Sequence, residues 1–147
     1  LIKGKKLYLG GLNIPFHSGL KGHSDGDVII HSVIDALLGA MRKKDIGTIY
    51  PDNKKRFKNI RSPKMLKPVI EIMNKKEFHI NNIDLNLICE QPKISKYRDK
   101  IIKSLSTLLN VDNSLINLKG KTVEKLGLIG KEKAIACEVI VSIIKYD

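Results

Sequence analysis

Gly22-His23-Ser24-Asp25-Gly26-Asp27-Val28-Ile29-Ile30-His31-Ser32-Val33-Ile34-Asp35-Ala36-Leu37-Leu38-Gly39-Ala40 carries the first helix and, with it, the class of the fold. After Gly26, the residues Val28, Ile29, Val33, Ile34, Leu37, Leu38 and Met41 recur at three- and four-residue spacing, the period of an amphipathic helix. Ser24 is placed to cap this helix. Asp27, three residues on, can complete a capping-box-like start, and Asp25 and Asp27 both complement the positive end of the helix dipole. A second, polar stripe shares one face: Asp27, His31 and Asp35 stand at i, i+4 and i+8. It reads either as a half-exposed histidine paired with a carboxylate or as an imidazole zinc ligand whose tautomer a carboxylate fixes. Spacing alone favours the first, because zinc takes about three protein ligands even in an open site.

Upstream, Leu7-Tyr8-Leu9, Gly10-Gly11 and Ile14-Pro15-Phe16 read as a short strand, a turn and an edge segment. Ser18 to Gly22 is a loop. It leaves His23 beside the free amides of a helix start, where both can face one anion. Downstream, the first helix is expected to run to about Lys44, with Arg42, Lys43 and Lys44 at its negative end. From Asp45 to Arg61 there is neither period; this is a long connection, either a substrate loop or a plain surface insertion. Ser62-Pro63 opens a second helix with Met65, Leu66, Val69, Ile70 and Met73 on its apolar face.

Next, Ile83, Leu85, Leu87 and Cys89 alternate with Asn82, Asp84 and Asn86 as in a half-buried strand, which Pro92 ends. A third helix takes about Lys96 to Leu109. Leu115 to Leu118 is a short strand, Gly120 to Gly130 a loop with one helical turn at Glu124, and Ala134 to Ile144 a long final strand. The order predicts an α+β domain over residues 1–147: a single mixed sheet covered by helices on one face. The other face of the final strand then requires a partner.

The chain has 147 residues, 42% of them hydrophobic, which suffices for one core, and no apolar run reaches the length of a membrane span. Net charge is +12, from 27 Lys and Arg against 15 Asp and Glu. That invites a nucleic-acid reading, but the lysines are scattered and there is no Trp or aromatic cluster to stack bases. The charge reads as a solvated surface that attracts anionic substrates. Cys89 and Cys137, each in an apolar run, read as buried free thiols in a reducing compartment.

Leu9-Gly10-Gly11, Ile14-Pro15, Gly19-Leu20 and the opening stretch together resemble the 2-C-methyl-D-erythritol 2,4-cyclodiphosphate synthase family of the non-mevalonate isoprenoid pathway. Four later segments match in order: Asp45-Ile46-Gly47, Tyr50-Pro51-Asp52, Gln91-Pro92-Lys93 and Val123-Glu124-Lys125-Leu126-Gly127. The resemblance covers almost the whole chain. It implies a phosphorus–oxygen lyase. In that reaction the 2-phosphate of 4-diphosphocytidyl-2-C-methyl-D-erythritol 2-phosphate attacks the β-phosphate, CMP leaves and a cyclic diphosphate closes. It also implies a homotrimer with its sheets around a threefold axis, and no nucleic-acid or membrane partner. A eukaryotic member would sit in a plastid-type organelle and others in the cytoplasm, none of them secreted.

By position, the resemblance gives His31 as a zinc ligand and Glu124 as the carboxylate near a magnesium or manganese ion. Glu124 also reads, on spacing alone, as a first-turn helix carboxylate. His23 and Thr122 resemble the pair that stabilises the transition state, and Ser24 a phosphate contact. Asp45, Ile46 and Gly47 resemble the segment holding the methylerythritol hydroxyls, continued by Tyr50, Pro51, Asp52, Asn53 and Lys54, with Lys131 a further substrate position. Cys89, Glu90, Gln91, Pro92, Lys93, Ile94 and Ser95, with Lys121, Thr122, Val123 and Glu124, resemble the cytidine pocket.

There are departures. The family's Asp-x-His pattern, which supplies two more zinc ligands, is not found in Leu1 to Tyr8 and is expected upstream of Leu1. Gly120, Lys121 and Val123 replace an alanine and two threonines, and Leu128 and Lys131 stand where the family has Phe and Arg. These departures keep open a second reading, a catalytically silent trimeric relative that binds phosphorylated ligands or partner enzymes. A third is a basic nucleic-acid-binding module.

Overall fold

Gly10 and Gly11 have φ of +65° and +83°, the pair of positive values that a two-residue hairpin turn of the mirror-image type demands. They join β2 (Leu7–Leu9) to β3 (Leu12–Ile14) as an antiparallel pair. The computed structural model describes residues 1–22, 24–49 and 60–146. Beside the hairpin, β1 (Ile2–Lys3) pairs antiparallel with β4 (Ser18–Gly19). Helices α1 (Val28–Ala40), α2 (Ile46–Ile49) and α3 (Ser62–Lys75) follow. The rest is β5 (Phe78–Ile88), α4 (Arg98–Leu109), β6 (Ile116–Lys121), α5 (Gly127–Gly130) and β7 (Ala136–Lys145).

The fold is α+β as expected, but its strands form three small sheets among the described residues rather than one. The main sheet has the order β6-β5-β7, with β5 parallel to β6 and antiparallel to β7. A parallel pair needs a crossover, and α4 supplies it. The hairpin stays apart because helices claim its turn: Ser104 of α4 donates to the Gly10 carbonyl at 2.6 Å, and the Gly10 and Gly11 amides donate to Asp27.

One face of the main sheet carries Ile80, Ile83, Leu85, Leu87, Ile116 and Leu118, all buried against the helices. The alternation expected around Ile83 holds, and a register shift between Ile80 and Asn82 lets both Ile80 and Ile83 face inward although they stand three apart. From α1, Ile29, Ile30, Val33, Ile34, Leu37 and Leu38 fill the centre of the core, and Met65, Leu66, Val69 and Met73 of α3 pack around it. Ile70 is only half-buried. On the outer face, Ile140 of β7 is 75% exposed in the single chain.

Several boundaries differ from expectation. Asp27, not Ser24, caps α1, its side chain accepting from the Ile30 amide. The helix stops at Ala40 rather than near Lys44. Arg42 turns left-handed at φ +58°, and the Arg42 and Lys43 amides bond back to the Gly39 and Leu38 carbonyls, the pattern of a Schellman stop. The segment after Asp45 holds the short α2. A 3₁₀ turn at Ile94–Lys96 precedes α4, and β6 extends to Lys121 because its parallel pairing with β5 continues to Ile88. The helical turn placed at Glu124 is instead α5. Among the described residues no helix is long and apolar enough to cross a membrane.

Candidate functional site

Asp27 is fully buried, and its two oxygens accept from three backbone amides: Gly10 at 2.9 Å, Gly11 at 2.7 Å and Ile30 at 3.0 Å. One carboxylate therefore ties the hairpin turn to the start of α1. Burial pushes its pKa from the ordinary 3.8 up to about 6, against those amide bonds and helped by the charge of Asp25.

Asp25 is buried too and accepts from four donors. The Ser62 hydroxyl and the Asp27 amide (3.1 Å) reach Oδ1; the Ser62 amide (2.9 Å) and Arg61 Nε (3.0 Å) reach Oδ2. Burial opposes its charge, but the Ser62 hydroxyl and amide, the Asp27 amide and Arg61 outweigh burial and hold the carboxyl below the usual range. Arg61 also lies over the Tyr8 ring, 4.0 Å from its centroid, a cation–π contact that braces it against the hairpin.

His31 lies one turn into α1, half-buried, and its Nε2 is 3.2 Å from Ser24 Oγ and 3.0 Å from Ser62 Oγ. The carboxylates of its stripe point to other groups: Asp27 to the amides above and Asp35 to the Ile46 amide at 2.7 Å. A carboxylate thus reaches His31 through Ser62, and it is Asp25. The Asp35 bond docks Asp45-Ile46-Gly47 on α1. Asp45 is exposed, and its Oδ1 accepts from the amide and hydroxyl of Thr48 at 3.1 and 2.5 Å.

A second site opens where the parallel strands end. There a cleft of about 440 Å³ is lined by Cys89, Glu90, Lys93, Ile94, Ser95, Arg98, Leu118, Lys119, Gly120, Lys121 and Thr122. Ligands of α/β sheets settle beyond the carboxyl ends of parallel strands, because the diverging loops leave a crevice there. Lys93 and Lys121 make the walls cationic, with Arg98 and Lys119 held in ion pairs to Asp99 and Asp84, a lining suited to a phosphorylated ligand. Glu90 shapes one wall: its Oε1 accepts from the Val123 and Lys125 amides at 2.9 and 3.0 Å, and Glu124 and Lys125 are left-handed at φ +55° and +62°. The Glu90 carboxyl is held below its usual range by those two amides. Burial pushes the Cys89 thiol up to about 11.

The sequence-predicted residues therefore fall into groups. Ser24 and His31 meet; Asp45, Ile46 and Gly47 attach to the same helix through Asp35. Cys89, Glu90, Lys93, Ile94, Ser95, Lys121 and Thr122 share the cleft, with Gln91, Pro92, Val123 and Glu124 in the loops that frame it. Lys131, exposed at the end of α5, does not line the cleft. His23, Tyr50, Pro51, Asp52, Asn53 and Lys54 lie outside the described residues. Among the described residues no three His, Cys, Asp or Glu side chains converge where a metal ion could sit, so His31 and Glu124 are not gathered with further ligands.

Sequence reasoning missed Ser62, Arg61 and Tyr8 around His31, and Arg98 and Lys119 on the cleft. It assigned Asp25 only to the helix dipole. The Asp25-Gly26-Asp27 turn before a helix was the one local signal for a carboxylate folded back on backbone amides.

The YgbB family model matches residues 1–144. The chain is 53% identical to the bifunctional enzyme IspD/IspF of Pelagibacter ubique, covering 100% of this chain and 40% of that protein. The chain thus spans about two fifths of that relative's length. It is 42% identical to the 2-C-methyl-D-erythritol 2,4-cyclodiphosphate synthase of Caldicellulosiruptor bescii, over 97% of this chain and 90% of the other. The structure of Plasmodium falciparum IspF in its CDP complex superposes with a TM-score of 0.87 at 43% identity, covering 99% of this chain and 87% of that one.

Proposed function

Because this chain belongs to the YgbB family, we propose that it is a 2-C-methyl-D-erythritol 2,4-cyclodiphosphate synthase. Residues 1–147 would form one catalytic domain that converts 4-diphosphocytidyl-2-C-methyl-D-erythritol 2-phosphate to the cyclic diphosphate and CMP. An oxygen of the 2-phosphate attacks the β-phosphorus, a new P–O bond closes the ring, and the bond to the α-phosphate breaks to release CMP. Such a transfer needs positioning and charge neutralisation rather than a nucleophilic side chain.

The observation that carries the reading is the cationic cleft at the ends of β5 and β6, in a fold shared with a relative solved as its CDP complex. In this reading Lys93, Ser95, Lys121 and Thr122 hold the cytidine diphosphate half, with Cys89 to Ser95 and Lys121 to Glu124 as its walls. Thr122 and His23 face the developing charge at the β-phosphate. Ser24 takes the other phosphate, and Asp45-Ile46-Gly47, continued by Tyr50 to Lys54, takes the methylerythritol hydroxyls. Lys131 is a further anion contact.

The family reaction is metal-dependent, and divalent ions supply charge neutralisation on the phosphates when bound. Zinc is proposed for His31 and magnesium or manganese for Glu124. The described residues fit zinc only as far as one imidazole, since no three ligands converge among them. No step is therefore routed through zinc. Glu124, an exposed carboxylate on a left-handed turn at the cleft, suits a hard cation that takes most of its other ligands from phosphate and water.

The active unit is proposed to be a homotrimer, supported by the apolar residues on the outer face of β7. Neither nucleic acid nor membrane is proposed as a partner; the site is a plastid-type organelle in a eukaryote and the cytoplasm otherwise. The test is turnover of the cytidylyl substrate with magnesium, followed by CMP release, for the wild type, Thr122→Ala and Ser24→Ala. One CMP per substrate from the wild type is expected, with at least a hundredfold loss in Thr122→Ala. No release from a folded wild type would leave the silent phosphate-binding relative as the better reading.

A further inference from the structure

The hydrogens around His31 can be assigned from the acceptors. Asp25, 8% exposed and holding four donors, has only lone pairs to offer as a carboxylate. Ser62, with no exposed surface, has one hydroxyl hydrogen, and Asp25 takes it. Toward His31 Nε2, 3.0 Å away, Ser62 can then present only a lone pair. Nε2 is therefore the donor of that contact and carries a hydrogen, whether the ring is neutral or charged. The neutral ring keeps its lone pair on Nδ1.

The same hydrogen fixes the second contact. Ser24 Oγ, 3.2 Å from Nε2, meets an N–H and so accepts. Its own hydrogen is directed elsewhere.

We infer that Asp25 and Ser62 are positioning residues that set the direction of this chain of hydrogen bonds. They lock His31 in its Nε2–H form and turn Ser24 into a donor toward the ligand. The buried end of the relay accepts and the outer end donates, a polarity at Ser24 that suits an acceptor-only group such as a phosphate oxygen. Arg61 keeps the buried end in place, pairing with Asp25 while lying on Tyr8. This deepens the reading of Ser24 as a phosphate contact and rests on it.

The test is the tautomer of His31 in metal-free protein with ¹⁵N-labelled histidine, read from long-range ¹H–¹⁵N correlations of the ring. The wild type is expected to show Nε2–H alone. Ser62→Ala removes the obligatory acceptor and is expected to admit the Nδ1–H form; Asp25→Ala frees the Ser62 hydrogen to turn toward Nε2 and is expected to favour Nδ1–H outright. Ser24→Ala is expected to keep Nε2–H but weaken inorganic phosphate about tenfold or more, as for losing one hydrogen bond to a charged group, with Ser24→Thr restoring it. An Nδ1–H ring in the wild type overturns the inference without any variant having to fold, as do unchanged tautomers in both Ser62→Ala and Asp25→Ala. A wild type with the Nε2–H ring but no synthase turnover would keep the relay and remove only the functional reading above it.

Discussion

Two aspartates separated by one glycine respond to burial in opposite directions, and the difference lies in their donors. Asp25 has a guanidinium and a hydroxyl among its four partners and stays below its usual range; Asp27 has three amides and rises from 3.8 to about 6. Because the folded carboxyl of Asp27 binds its proton more tightly than the unfolded one, folding takes up a proton between pH 3.8 and about 6. Stability from this residue is therefore present below that window and falls as pH rises through it, by on the order of 3 kcal/mol. Asp25 works the other way: its contribution is full above the ordinary carboxylate pKa and is lost as pH falls through its depressed value. Asp27→Asn is expected to flatten the fall between pH 4 and 6 in urea unfolding. It should also cost about 1–3 kcal/mol near pH 5, since the remaining oxygen can keep Gly10 and Ile30 but the NH2 that replaces Oδ2 cannot accept from the Gly11 amide, which is left unpaired. The cysteines give a second check. Burial raises both thiols to about 11, so Cys89 and Cys137 should resist iodoacetamide at pH 7 in the folded protein and react once it is unfolded, as read by mass spectrometry.

Among the elements, the loop between β6 and α5 is pinned by the Glu90 carboxylate beside its own backbone bond from the Leu126 amide to the Val123 carbonyl. Glu90→Ala releases the Val123 and Lys125 amides. It is expected to raise hydrogen exchange at both positions and to weaken CMP binding about tenfold while leaving the melting temperature within a few degrees. Unchanged affinity with faster exchange would separate the loop from the nucleotide. This is also the part of the fold least legible in the chain. Helix and strand periods around Val28, Met65 and Ile83 identified α1, α3 and β5, because core contacts there repeat along a short window. Glu90 and Val123 stand thirty-three residues apart, and no local period records a carboxylate reaching that far. The same holds for Asp25 and Ser62, thirty-seven apart. Residues of the cleft were identified through family resemblance, not spacing; Arg98 and Lys119, visible only once α4 and β6 pack together, were not identified at all.

In the whole molecule, the outer face of the main sheet sets the expectation for assembly. Ile140 is 75% exposed in the single chain, so Ile140→Asp should cost the fold little while opposing any sheet-to-sheet contact. Sedimentation at micromolar concentration is expected to give trimers for the wild type and monomers for the variant; a monomeric wild type would remove the trimer from the account. Part of the net charge of +12 lies on the lysines and the arginine that line the cleft, where a phosphorylated ligand would be attracted. Whether the bound substrate cyclises or is merely hydrolysed is the point on which the functional reading turns, and CMP release alone does not separate the two. The direct measurement is ³¹P NMR of the organic product after complete turnover with magnesium. Two mutually coupled phosphorus signals from one cyclic diphosphate, in equal amount to the CMP, are expected; uncoupled signals of separate phosphate monoesters would contradict cyclisation.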